Sequence, residues 1–164
     1  MGFKDKRICG TITKQLVEDM RIFRQTDAFS CGPRALQIAF SHYNIFPKYG
    51  KLIKLCHTNE NGTEVEMLES ATLAVGLKAD VFDELASSSK IKQYTDKQVP
   101  VVVMWYAGVD SHVSVAYKVD DTFIYLFDPS LHLYTVPTIM IRRSMLEKCW
   151  RKHPQSRWIM AVYK

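Results

Sequence analysis

Gln25-Thr-Asp-Ala-Phe-Ser-Cys31-Gly32-Pro33-Arg-Ala-Leu36 decides the reading of this chain, because it sets a thiol where a turn gives way to a helix. Pro33 suits the first helical position, and Ala35, Leu36, Ala39, Phe40 and Tyr43 recur at 3.6-residue spacing as one apolar face. A helix opening at Gly32-Pro33 aims unpaired backbone N–H groups and the positive end of its dipole at the Cys31 sulfur, which favours the nucleophilic thiolate. Taken alone, a cysteine at a helix start is most often a small buried hydrophobe. The case for chemistry depends on a base.

The best candidate for that base lies in Ser111-His112-Val-Ser-Val-Ala-Tyr-Lys-Val119, whose valines and tyrosine read as a strand. Asp120-Asp121 supplies a turn, Thr122 to Phe127 reads as a second strand, and Asp128-Pro129-Ser130 ends it. Two such strands in a hairpin place His112 near Asp128. The imidazole then takes the Cys31 proton while the carboxylate fixes its tautomer and orientation.

Together these residues resemble the papain-like bacteriocin-processing, or double-glycine leader, peptidases and their free-standing relatives. That family carries a glutamine six residues before a Cys-Gly pair, and a His-x-Val strand with Asp-Pro about sixteen residues on; Gln25 precedes Cys31 by six and His112 precedes Asp128 by sixteen. Asn61-Gly62-Thr63, Gly76-Leu77-Lys-Ala79 and the apolar run Val99-Pro100-Val101-Val102-Val103 also match, so the likeness covers roughly residues 20 to 163. It implies an α+β, papain-like cysteine peptidase fold, with N-terminal helices, the nucleophile on a helix, and a C-terminal antiparallel sheet carrying the histidine and aspartate. It also implies roles: Cys31 as nucleophile, His112 as general base and acid, Asp128 as orienting residue, and Gln25 as oxyanion-hole donor. The implied substrate is a peptide or protein cut after small residues of the Gly-Gly type, with no metal or organic cofactor. Two residues depart from the family pattern: Ser30 replaces a common aspartate and Arg34 a small residue, and both are expected to reshape the entrance.

Along the chain, helices are expected near Ile12–Asp19, Gly32–Asn44, Lys51–His57, Thr63–Val75 and Glu84–Tyr94. Strands are expected near Lys78–Phe82, Pro100–Tyr106, His112–Val119, Thr122–Phe127, Leu131–Thr135 and Trp158–Tyr163. Thr63-Glu-Val-Glu66 reads as a capping box, and Gly76 as a left-handed helix terminator. Residues 1–20, with Ile12, Leu16, Val17 and Met20 at helical spacing, form an N-terminal arm before a single domain over 21–164. Nothing in the sequence divides that domain.

Composition fits one compact enzyme: 164 residues with 47% hydrophobic content can bury a substantial core. No apolar run approaches a membrane span, and Met-Gly-Phe-Lys lacks a following apolar stretch, so the expected setting is cytoplasmic, with non-classical secretion as an effector left open. Cys9, Cys31, Cys56 and Cys149 are widely spaced, which suits free thiols better than a disulfide scaffold. Cys56, His57, Cys149 and His153 offer zinc ligands only in principle, and His42 and His132 carry no role. The net charge of +5 is spread among acidic residues, so no nucleic acid is expected. The densest basic group, Arg142, Arg143, Lys148, Arg151, Lys152 and Arg157, is a possible dock for an acidic segment.

Two other functions share these residues. Acyl-thioester chemistry serves an acyltransferase or transglutaminase-type enzyme equally well, because it does not dictate whether water or an amine resolves the intermediate. A host-directed effector or a catalytically silent peptide-binding module would keep the fold alone.

Overall fold

A computed structural model of the chain describes residues 20–130 and 138–164. Three helices come first: α1 (Cys31–Ser41), α2 (Tyr49–Leu55) and α3 (Val65–Ala74). Strand β1 (Lys78–Phe82), helix α4 (Ser88–Thr95), and strands β2 (Val101–Tyr106), β3 (Ser111–Val119), β4 (Phe123–Phe127) and β5 (Thr138–Arg142) follow. Helix α5 (Arg143–Lys152), a 3-10 turn at Pro154–Ser156 and strand β6 (Trp158–Tyr163) close the chain.

The strands form one antiparallel sheet in the order β1-β6-β2-β3-β4-β5. Its central strands are apolar on both faces, and the two-residue period divides them between two cores. Val102, Val113, Val115, Met160 and Val162 pack with helices α1, α2 and α3. Their neighbours Val101, Val103, Ala116, Ile159 and Ala161 pack on the other side with Ile91 of α4 and Leu146 and Trp150 of α5. Residues 101–103 of the apolar run are therefore strand covered on both faces. Each large side chain buried this way contributes roughly 1.5–3 kcal/mol of transfer free energy.

Helix α1 is buried on nearly every side, where the sequence pattern suggested one apolar face: Gln37 and Ser41 are enclosed along with Leu36, Ile38 and Phe40. Ser41 pays for its burial by donating to Ile38 O at 2.6 Å and accepting from Arg21 N at 2.7 Å. The helix begins two residues earlier than Pro33 predicted, so Pro33 sits within the first turn, where its missing N–H still costs nothing.

Several expectations need correction. The Thr63–Glu66 capping box does not form: Glu64 is the N-cap residue without a side-chain cap bond, and Thr63 Oγ1 lies 2.7 Å from Thr58 Oγ1 instead. Helix α4 starts at Ser88 rather than near Glu84, because Ser87 Oγ caps it by accepting from Lys90 N at 3.0 Å. Strand β1 precedes α4, as the sequence order of the expected elements has it, and pairs with the final strand. Strand β5 and helix α5 were not anticipated; α5 buries only Leu146 and Trp150, too thin a stripe to stand out in a basic stretch. Gly76 does end α3, with φ of +86°. The Ile12–Asp19 helix, all of the arm but Met20, and the Leu131–Thr135 strand lie outside the described residues.

Candidate active site

Cys31 is the first residue of α1, and Ser30 before it makes no side-chain cap bond. The first-turn N–H groups of Cys31 and Gly32 thus have no partner within the helix. The close approach of this helix end to α3 depends on Gly32, where a Cβ would meet Leu68 Cδ2 at 3.0 Å and Thr63 Cβ at 3.3 Å.

The remaining site residues come from β3 and from the turn after β4. His112 and Ser114 are two apart on β3 and so point to one side, where both reach Asp128. His112 Nε2 lies 2.9 Å from Asp128 Oδ1, and Ser114 Oγ donates to Oδ2 at 3.0 Å. Ser130 N also donates to Oδ1 at 2.7 Å, and the carboxylate is 2% exposed. The Trp105 indole extends this chain by donating to Ser114 Oγ at 3.1 Å, while its ring meets His112 edge-on with centroids 5.8 Å apart. Because Nε2 is taken by Asp128, Nδ1 is the ring nitrogen left to face the Cys31 thiol, which acts electrostatically on the same imidazole.

The electrostatics follow from these contacts. Burial alone would push the His112 pKa down, but hydrogen bonds and charge from Asp128 and Cys31 win, and it rises to about 9. Asp128 feels the converse. Burial raises its carboxyl, yet His112, Ser130 and Ser114 together hold it below the usual carboxylate range.

Gln25 is 6% exposed and anchored at two points: its backbone N donates to Pro129 O at 2.8 Å, and its Nε2 donates to Asp27 O at 2.8 Å. The first bond ties the segment before Cys31 to the residue following Asp128. An amide nitrogen has two hydrogens, so Gln25 keeps one donor beyond the Asp27 bond. Asp27 in turn accepts from Phe29 N and Ser30 N at 3.0 and 2.7 Å, which folds the turn leading into α1. Neither the Asp27 nor the Ser114 contribution was read from the sequence, though the His-x-Ser alternation on a strand was a usable signal.

Of the two departures near the nucleophile, Ser30 is fully buried, and Arg34 packs on Tyr49 of α2. The Arg34 guanidinium lies 3.5 Å from the Tyr49 ring centroid and donates to Gln37 Oε1 at 2.6 Å, so it does not shape the entrance around Cys31. The basic group is similarly committed in part. Arg143 donates to Ser88 Oγ, Ser89 Oγ and Asp120 O, Arg157 donates twice to Ala86 O, and Arg142 covers the Phe123 ring. Lys148, Arg151 and Lys152 are its exposed remainder. Cys31, Cys56 and Cys149 are free thiols. Among the described residues there is no group of three or more His, Cys, Asp or Glu side chains placed to hold a metal, and no helix long and apolar enough to cross a membrane.

Solved structures share this architecture. The peptidase domain of Streptococcus ComA, a bifunctional ABC transporter of a quorum-sensing pathway, aligns with a TM-score of 0.72 at 19% identity, covering 88% of this chain and 98% of that one. A double-glycine motif protease from an AMS/PCAT transporter, solved with its leader peptide, gives 0.69 at 15% identity over 88% and 91% of the two chains. A protein of Bacillus anthracis described as a C39-like peptidase gives 0.74 at 14% identity over 90% and 96%. In sequence, an uncharacterised protein of Methanothermobacter marburgensis is 27% identical over 135 residues, spanning 82% of this chain and 86% of that protein. The model of the Peptidase C39 family matches residues 19–153, and the chain belongs to that family of cysteine peptidases.

Proposed function

We propose that this protein is a cysteine peptidase that hydrolyses a peptide bond through an acyl-enzyme on Cys31. The observation that carries the reading is the His112 imidazole bonded at Nε2 to the buried Asp128 carboxylate, with the Cys31 thiol acting on the same ring. His112 Nδ1 takes the thiol proton, and the sulfur attacks the substrate carbonyl carbon. The oxyanion is met by the free Gln25 Nε2–H and the Cys31 backbone N–H. The imidazolium then gives its proton to the leaving amine. In the second half His112 deprotonates a water, which displaces the thiolate and releases the acid. Asp128, held by Ser114 and Ser130, keeps the Nε2–H tautomer aligned throughout.

Of three further readings, the first rests on the family resemblance, the second on surface charge and the third on the cysteines. The cleft beside Cys31, walled by Phe29, Gly32 and Asn61-Gly62-Thr63, supports cleavage after two small residues of the Gly-Gly type. Lys148, Arg151 and Lys152 support docking of an acidic segment of the substrate or partner. The free thiols suit a reducing, cytoplasmic setting.

The test is a peptide library with small and bulky residues at the two positions before the cut, with products identified by mass spectrometry and an added amine acceptor. Cleavage that needs Cys31, is lost in Cys31→Ala, and yields the free acid is expected. Amide products in place of acid would make the protein an acyltransferase, and bulky residues before the cut would remove the Gly-Gly preference while leaving the mechanism.

A further inference from the structure

Resting on the peptidase reading for its catalytic end, we propose that the substrate segment beside the scissile bond is a cationic, part-apolar peptide seated in an acidic groove that runs from Cys31 to Trp158. Two hollows make this groove and share Met104 of β2. The first opens at Cys31, between the turn at 60–63 and the tip of the β2–β3 hairpin. The second continues between α3, β1 and β6.

The charges along it are one-sided. Glu60 and Asp110 line the first hollow; Glu66, Glu69 and Asp83 line the second. Among the described lining residues one cation stands against these five carboxylates, Arg157, whose guanidinium points at Ala86 O with bonds of 2.9 and 2.7 Å. Among the described residues none of the five carboxylates forms a salt bridge. This is the reverse of the whole chain, which has 22 Lys and Arg against 17 Asp and Glu. A random patch of such a surface would be basic. A cleft lined by one sign of charge focuses the field and selects ligands of the other sign.

The floor is apolar. Val65, Val81, Met104, Val113 and Trp158 contribute to it, and Val81 is 37% exposed. At the hairpin tip Val109 is 91% exposed beside Asp110. An extended peptide that lays apolar side chains on this floor turns alternate residues toward the carboxylate rim. Lysine and arginine fit there best, since their stems cover apolar surface while their charges reach the rim.

Two fluorescein-labelled peptides with one Gly-Gly junction, flanked by alternating Leu and Lys or by alternating Leu and Glu, test the proposal on the full chain. Binding is read by anisotropy with Cys31→Ala, and turnover with the native protein. The Lys peptide should bind roughly tenfold tighter than the Glu peptide despite the chain's positive net charge. That preference should shrink in 0.5 M salt and in the groove variant Glu66→Gln/Glu69→Gln. Equal or reversed binding overturns the groove. So does a preference that the double variant leaves unchanged, or one in which the variant alters only self-association or the protection of residues 1–19, which would give the groove to a second copy or to this chain's own basic segment. Tight Lys-selective binding without turnover of any peptide sustains the groove and defeats the peptidase reading; Cys31-dependent turnover without charge preference does the opposite.

Discussion

Ser114 donates to the Asp128 oxygen that His112 does not use, so both carboxylate oxygens are occupied inside the fold. A hydrogen bond to a buried charge is worth roughly 1.5–3 kcal/mol, enough to matter for how firmly the carboxylate holds the imidazole. Ser114→Ala should therefore lower kcat by about tenfold to a hundredfold while Cys31 still reacts with an electrophile. Asp128→Asn should cost more, up to about 10⁴ in kcat, because an amide N–H facing Nε2 favours the wrong tautomer. Steady-state kinetics of both variants beside a single-turnover labelling assay would check this. A Ser114→Ala enzyme with native kcat removes the serine from the positioning chain.

The raised His112 pKa sets the alkaline limit of activity. An imidazolium that titrates near 9 keeps its proton for the leaving amine across neutral pH, so kcat/KM should fall on the alkaline side near 9 and not near 6.5. The same shift is a stability term. Because the folded value lies above the ordinary 6.5, the stabilisation is complete below 6.5 and is lost as pH climbs through about 9. Asp128 acts in the opposite direction: its lowered value adds stability at neutral pH that disappears as acid protonates it. A pH–rate profile and urea midpoints at pH 6 and 9.5 give both quantities. A rate limb near 6.5 would show that Asp128 and Cys31 do not hold the charged ring.

Thiol chemistry separates the cysteines. Cys56 is fully buried in the α1–α3 core, and burial pushes its thiol up to about 12, so it should resist alkylation in the folded state. Cys149 points its S–H at Tyr106 O, 3.6 Å away. Cys31 alone of these lies at a helix N-terminus against an imidazole. Limited iodoacetamide at pH 6 should label Cys31 first, and His112→Ala should slow that labelling. Prior labelling of Cys56 or Cys149, or of Cys9, would sink the assignment of the nucleophile.

Gln25 offers a separate test of the oxyanion site. Gln25→Ala should reduce kcat by about 10²–10³ if its free N–H meets the transition state, with little change in Cys31 labelling. Because the Gln25 backbone N–H to Pro129 O bond survives this change, the segment itself should stay in place. Circular dichroism and kcat on the same preparation distinguish loss of a donor from loss of structure.

How far the sequence told this in advance depends on whether a residue's task is local. The start of α1, the β3 strand and the Gly76 stop were legible because periodicity and turn chemistry act over a few residues. His112 near Asp128 followed from hairpin geometry, whereas Gln25 came only from the family resemblance, whose six-residue spacing to Cys31 it matches. The Trp105 contacts were invisible, since they depend on the β2–β3 register that pairs Trp105 with His112, whereas Ser114 left an unused signal in the His-x-Ser alternation of β3. Arg34 was misjudged for a similar reason: its partner Tyr49 lies on a different helix, and nothing near Arg34 in sequence announces a ring to stack on. The five carboxylates of the groove come from four separate segments of a basic chain, so composition concealed them.

Gly32 joins fold to site most directly, and Gly32→Ala weighs two opposing effects. Alanine is the better helix former by roughly 0.5–1 kcal/mol, which taken alone predicts a more stable protein. Its Cβ, however, would sit 3.0 Å from Leu68 Cδ2 and 3.3 Å from Thr63 Cβ. Leu68 is fully buried in α3 and Thr63 is held by Thr58, so neither side chain can move aside freely. Overpacking of this kind costs about 1–3 kcal/mol, which outweighs the propensity gain. The strain falls on the first turn of α1, so relief would shift Cys31 relative to His112 and Gln25. The expected result is a lower urea midpoint together with a kcat loss larger than that fraction unfolded explains. Gly50 in α2 has nothing within 4 Å of an added Cβ, so Gly50→Ala should be neutral or stabilising with kcat unchanged. If Gly32→Ala behaves like Gly50→Ala, the α1–α3 contact is looser than the distances imply and does not position the nucleophile.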